Sequence, residues 1–117
     1  MQDKLNDLIE RHCETIKRTV QTIGDMLSAI AGGADDPLGV VTEAEALVHQ
    51  LKGGAGTAGF GEISRTATAL DDQLKLLCRG SANEVSSHLV KAMELFQALD
   101  AAAREATPST SVLYKAA

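Results

Sequence analysis

Residues 3–31 read DKLNDLIERHCETIKRTVQTIGDMLSAIA, and their apolar side chains recur at intervals typical of a helix. This spacing places them on one face of an α-helix. The apolar face consists of Leu5, Leu8, Ile9, Ile16, Val20, Ile23, Leu27 and Ile30. The pattern predicts a first helix over roughly Asp3–Ala31, weakened at Gly24 by about 1 kcal/mol relative to Ala. A helix with one apolar face must bury that face against other elements of the fold.

A second helical pattern follows a predicted loop at residues 32–37, which ends in a proline. Thr42 and Glu45 have the spacing of a capping box, which predicts that the helix begins at Thr42. Gly59 suits the left-handed position that ends a helix. The apolar face of this helix consists of Ala44, Leu47, Val48, Leu51 and Ala55.

Two further patterns predict a third helix that ends at Gly80 and a fourth that ends before Pro108. Ser81 and Glu84 form another capping box, which predicts the start of the fourth helix. The two apolar faces consist of Ile63, Ala67, Leu70, Leu74 and Leu77 in the third helix and of Val85, Leu89, Ala92, Phe96 and Leu99 in the fourth.

Four amphipathic helices with short connections indicate an all-α fold, an antiparallel up-down four-helix bundle with a flexible C-terminal tail. Residues 1–106 form the bundle in this interpretation, and residues 107–117 are a tail or a linker cut from a longer chain. Aromatic residues make up only 3% of the sequence, so the core must be aliphatic. Such a composition favours helices over strands.

Charge and composition exclude several classes of protein. The net charge of −5 argues against a nucleic-acid binder, which needs clustered Lys and Arg. No apolar run approaches the roughly 18 residues needed to cross a bilayer, and no signal peptide opens the chain. The two cysteines, Cys13 and Cys78, form no disulfide or zinc framework. We therefore expect a cytoplasmic protein that binds neither nucleic acid nor membrane.

Half of the ten glycines lie at positions 53, 54, 56, 59 and 61, where a helix interior would rarely tolerate them. Residues 54–59 spell the GxGxxG pattern of dinucleotide-binding loops. That pattern requires a preceding strand and an acidic residue about 20 positions later. A capped helix precedes it here, so we do not interpret these glycines as a nucleotide site.

His49 points about 140° away from the apolar face of the second helix, toward solvent. Lys52 and Gly53 are its neighbours at i+3 and i+4 on the same surface, and Gly56 lies two turns further on. The imidazole therefore stands beside a cation and bare backbone that another protein could approach closely. The alternative is a solvated polar residue. His12 and His88 fall at the edges of their apolar faces, where packing is the simpler interpretation.

Residues 49–60, HQLKGGAGTAGF, resemble the signature of histidine-containing phosphotransfer (HPt) domains. They are especially similar to the phosphotransfer domain that opens chemotaxis-type histidine kinases. The predicted bundle, with the histidine in its second helix, extends the likeness to roughly residues 3–105. The resemblance implies a bacterial phosphoprotein, a phosphocarrier of a two-component phosphorelay. Its partners would be the receiver domains of response regulators or of hybrid histidine kinases.

By this resemblance, His49 accepts a phosphoryl group from a receiver aspartate or a histidine kinase and passes it to a response-regulator aspartate. Lys52 would contact the phosphoryl oxygens. Gly53 and Gly56 would keep the surface low for receiver docking, and we assign Glu45 to the same docking surface. An acidic residue of the third helix can orient the ring, and Asp71 matches it by position. The alternative for Asp71 is a solvated surface acid.

We expect no stably bound cofactor and no metal site. The Mg²⁺ needed for transfer would come with the receiver, because no carboxylate cluster is expected around His49. Nothing in the sequence resembles an ATP-binding kinase domain. Two alternatives stay open: the chain is the first domain of a larger kinase that phosphorylates it, or it is a non-catalytic helical adapter that binds signalling partners without phosphotransfer.

Overall fold

A computed structural model of the chain describes residues 1–80 and 82–115, which form helices and no strands. The four α-helices and one short 3₁₀ helix are α1 (Gln2–Ala31), α2 (Pro37–Thr57), α3 (Gly61–Arg79), α4 (Ala82–Glu105) and a 3₁₀ turn (Pro108–Thr110). The all-α prediction is confirmed, and the first helix begins within one residue of its predicted start.

The helices form a square bundle 54 Å long and 21 by 19 Å across. Each helix packs against the next one along the chain, and α4 packs back on α1 to close the square. Among the described helices, none combines the length and the apolar character needed to cross a membrane.

The predicted apolar faces of the helices form the core between them. Its largest fully buried aliphatic side chains are Ile9, Ile16, Val20, Ile23, Leu27, Val48, Leu70, Leu74 and Leu99. Leu8 was predicted to share this face but is 59% exposed, because its neighbour Ile9 takes the inward position at this end of α1. An aliphatic core of this kind favours close helix packing, since its side chains carry no polar atoms that need partners.

The start of α2 differs from the prediction. Pro37 occupies the first helical position, and the Asp36 carboxylate accepts a hydrogen bond from the Gly39 N–H at 3.1 Å. Proline suits this position because the first helical N–H groups have no partner within the helix. Thr42 is therefore an interior residue, and its hydroxyl donates to the Leu38 carbonyl at 2.9 Å. Ser81, the predicted cap of the fourth helix, lies outside the described residues.

Gly24 has a packing role that helix propensity alone does not predict. A Cβ added at this position would lie 2.7 Å from Cζ of Phe96, so the Phe96 ring of α4 rests against the bare backbone of α1. The glycine weakens α1 locally but lets a large side chain fill the space between α1 and α4.

The described part of the predicted tail lies against the bundle. Ser111 is buried, and its hydroxyl donates to the Ala58 carbonyl at 2.6 Å. The Val112 N–H donates to the Gly59 carbonyl at 3.1 Å. These bonds attach residues 111–112 to the end of α2. We had expected a flexible tail, but this part of it is packed against the bundle. The division into a 1–106 bundle and a 107–117 tail stays a prediction.

Replacement of Gly59 with alanine should destabilise the fold. Gly59 has a φ of +85°, and an added Cβ would lie 2.6 Å from Oγ of Ser111. A left-handed alanine costs roughly 1–2 kcal/mol, and displacement of the tail adds to that cost. Urea denaturation should therefore show a loss of at least about 1 kcal/mol for Gly59→Ala. Gly61→Ala is the control, because Gly61 begins a helix and its added Cβ would have no neighbour within 4 Å in the described part of the chain. Equal stabilities of the two variants would contradict this account.

Candidate functional site

His49 lies on the outer face of α2, as the helical pattern predicts. Its side chain is 61% exposed, whereas its neighbours Val48 and Leu51 are buried in the core. The ring is therefore accessible to another protein without any rearrangement of the bundle.

Asp71 of α3 lies beneath this ring and has no solvent exposure. Its Oδ2 atom is 3.3 Å from Nδ1 of His49 and 3.0 Å from Nζ of Lys52. The structure therefore brings together the three residues that the resemblance suggested for the reacting group. The alternative interpretation of Asp71, a solvated surface acid, is wrong.

A second lysine completes the contacts of this carboxylate. Nζ of Lys75 lies 3.4 Å from Oδ2 of Asp71, one helical turn further along α3. Lys75 was not among the predicted site residues, although its i+4 spacing from an acid is the signal that would have identified it. Lys52 forms an ion pair with Asp71, and the remaining N–H groups of its ammonium are available to oxygens bound near the ring.

Glu45 does not cap α2, because the helix begins at Pro37, and it lies close to Asp71 of α3. It lies one turn before His49 on α2, and its carboxyl group faces that of Asp71. Glu45, His49 and Asp71 each offer one possible metal-ligand atom, and these atoms lie within 4.8 Å of one another. The expectation that no carboxylate cluster surrounds His49 is therefore wrong. The cause is the i, i+4 position of Glu45 combined with the burial of Asp71.

The two carboxyl groups have opposite pKa shifts. Burial, followed by the negative charge of the neighbouring Asp71, raises the pKa of Glu45. Burial alone would raise the pKa of Asp71 as well, but the hydrogen bonds from Lys52 and His49 hold it below its usual value. Asp71 is therefore the group that stays ionised beside the ring.

The contact with Asp71 selects the tautomer of His49. A carboxylate only accepts hydrogen bonds, so the neutral ring carries its proton on Nδ1 and keeps a free lone pair on Nε2. His88 has the opposite arrangement. The Gln73 amide nitrogen lies 2.9 Å from Nδ1 of His88 and 3.3 Å from the His88 carbonyl oxygen, so it donates to this ring. The proton of His88 is then on Nε2, where it blocks attack by that nitrogen.

The glycines near His49 have different surroundings. No atom of the described residues lies within 4 Å of a Cβ added to Gly53, so this glycine leaves open space beside the ring. At Gly56 the added Cβ would lie 3.2 Å from Oγ of Ser64, and at Gly54 it would lie 3.0 Å from Nε2 of His12. Gly53 therefore leaves the surface low, whereas Gly54 and Gly56 let α1 and α3 side chains approach α2.

Comparison with known proteins identifies one family. The family model described as the Hpt domain matches residues 5–106, which include all of α2, α3 and α4 and nearly all of α1. A search of curated proteins and a search of solved structures each found no significant match.

The tautomers of the two rings can be measured directly. In ¹⁵N NMR spectra recorded above the imidazole pKa, His49 should be protonated on Nδ1 and His88 on Nε2. The reason is that His49 faces a carboxylate and His88 faces an amide donor. His88 is thus an internal control, and the same tautomer at both residues would contradict the account of the site.

Proposed function

The chain belongs to the Hpt domain family, and from this premise we propose that it is a phosphocarrier with His49 as the phosphoryl acceptor. Hpt domains act in phosphotransfer in two-component signalling. The proposal rests on one observation above all: the exposed ring of His49 has its Nδ1 atom against the buried carboxylate of Asp71. That contact leaves Nε2 as the nucleophile and directs it away from the bundle.

In the proposed reaction, the Nε2 lone pair of His49 forms a bond to phosphorus while the bond from phosphorus to the aspartyl oxygen of a receiver breaks. The ring becomes positively charged, and the carboxylate of Asp71 stabilises that charge through the Nδ1 proton. Lys52 contacts the phosphoryl oxygens with the N–H groups that Asp71 does not use. Transfer to the aspartate of another receiver reverses these steps.

The receiver would supply the Mg²⁺ for this reaction, and its active-site loops would approach over Gly53. Phosphoryl transfer depends mainly on positioning and charge stabilisation, which an exposed ring and a low surface allow. We place the reaction in the bacterial cytoplasm, between receivers or between a kinase and a receiver.

The first experiment mixes the purified chain with Mg²⁺ and a panel of phosphorylated receiver domains. Acid-labile label should appear on the wild type and on the control His88→Gln, because a phosphorus–nitrogen bond is labile in acid. It should be absent from His49→Gln. Label on His49→Gln would move the acceptor to another residue. If no receiver phosphorylates the chain, histidine kinase catalytic domains with ATP are the next donors. Silence from both, with partner binding intact, would favour the adapter.

Replacement of Gly53 with leucine should separate folding from docking. Leucine has a higher helix propensity than glycine by up to about 1 kcal/mol, and none of the described residues lies within 4 Å of an added Cβ. Stability in urea should therefore be unchanged or higher. Phosphotransfer should fall by about 10-fold or more, because the side chain holds the receiver away from the ring.

Gly61→Leu is the matched control for this experiment. Gly61 is equally open, but it precedes Asp71 by roughly 15 Å along the axis of α3. Normal transfer in Gly53→Leu, or an equal loss in both variants, would remove docking as the role of Gly53.

A further inference from the structure

The two oxygens of the Asp71 carboxylate have different surroundings. Oδ2 is contacted by His49, Lys52 and Lys75. Oδ1 is buried and has no hydrogen-bond partner in the described part of the chain. The neighbouring side chain, Glu45, faces Asp71 with a second carboxyl group and not with a positive charge. A buried oxygen without a donor, next to a second carboxyl group, is an arrangement that a bound cation would stabilise.

We propose that Glu45, His49 and Asp71 form a reversible site for a divalent transition-metal ion such as Zn²⁺, and that the bound ion blocks phosphorylation of His49. The second half of this proposal rests on the proposed function, whereas the binding of the ion does not.

The backbone already holds the three ligands together. Glu45 and His49 are one turn apart on the same face of α2, and Asp71 approaches them from α3. Their ligand atoms lie within 4.8 Å of one another, so modest side-chain rotations would bring them to one ion. Asp71 cannot turn toward water because it is fully buried, and the exposed ring of His49 gives the ion a path from solvent.

The donor set favours zinc over magnesium. One imidazole nitrogen and two carboxylate oxygens leave a fourth tetrahedral position for water, which is common in open Zn²⁺ sites. Mg²⁺ prefers an octahedral shell of oxygens and keeps several of its waters. Lys52 and Lys75 balance the charges of Glu45 and Asp71, so the ion enters a neutral site. Because no net negative charge holds the ion, its binding should be reversible.

Metal binding would remove the nucleophile by moving one proton. The ion binds the lone pair of Nδ1, so Nδ1 must lose its proton to solvent. Nε2 takes up a proton from solvent in exchange. The ring stays neutral, and no proton is gained or lost overall. Nε2 then has no free lone pair with which to attack phosphorus.

Calorimetric titration of Zn²⁺ into the metal-free 117-residue chain tests the site without any receiver. We expect one ion per chain, with affinity at least ~10-fold weaker in Glu45→Gln and in His49→Gln. Glu43→Gln is the matched control, since Glu43 is exposed two positions away on α2, and it should bind like the wild type. Mg²⁺ should not compete. Absence of binding, or equal binding in all variants, would overturn the proposal.

Modification by diethyl pyrocarbonate tests the fate of Nε2. Saturating Zn²⁺ should protect His49 in the wild type and in Glu43→Gln but not in Glu45→Gln, as mass spectrometry of the peptides would show. Unprotected His49 in the zinc-bound wild type would refute the block.

Neither zinc experiment needs a phosphodonor, so its failure is distinguishable from failure of phosphotransfer. Zinc binding without any transfer would leave the metal site standing and remove the proposed function. Phosphotransfer without zinc binding would support the proposed function and remove the metal site.

Discussion

A carboxylate with no solvent exposure is stable in an aliphatic bundle only where other groups replace its lost water. Asp71 meets that condition at Oδ2, where two ammonium groups and one imidazole converge. Because α2 carries His49 and Lys52 while α3 carries Asp71 and Lys75, the same contacts join the two helices and orient the ring. The register of α2 against α3 therefore determines the chemistry of the site, and a shift between them would separate His49 and Lys52 from the buried carboxylate.

Local periodicity was enough to predict the helices and the exposure of His49, because both depend on angles within one helix. The burial of Asp71 was not predictable in this way. Asp71 lies at the flank of the apolar face of α3, and side chains of α2 contact it there. The resemblance selected Asp71 by position, but whether it reached the ring depended on packing between helices.

The wrong prediction of where α2 begins also led to a wrong expectation about the carboxyl groups near His49. Two N-cap signals lie close together, Asp36 before Pro37 and Thr42 before Glu45. The earlier signal prevails because it adds a helical turn and buries Val41 against the core. Once Thr42 is an interior residue, Glu45 no longer has a backbone N–H to cap. Its carboxyl group is then available to face Asp71. The proximity of Glu45 to Asp71 was therefore not predicted from the sequence.

The charge balance around His49 suits the proposed reaction, in which the phosphoryl group must be released as readily as it is accepted. Glu45 and Asp71 offset Lys52 and Lys75, so the surroundings of the ring are close to neutral. A site with two uncompensated lysines would hold a phosphoryl dianion strongly and make the phosphorylated state a trap. Because Asp71 shares the charge of both lysines, the phosphoryl group in the proposed reaction receives orientation from Lys52 without the full attraction of two cations. The buried carboxylate thus favours reversible transfer as well as the reactive tautomer.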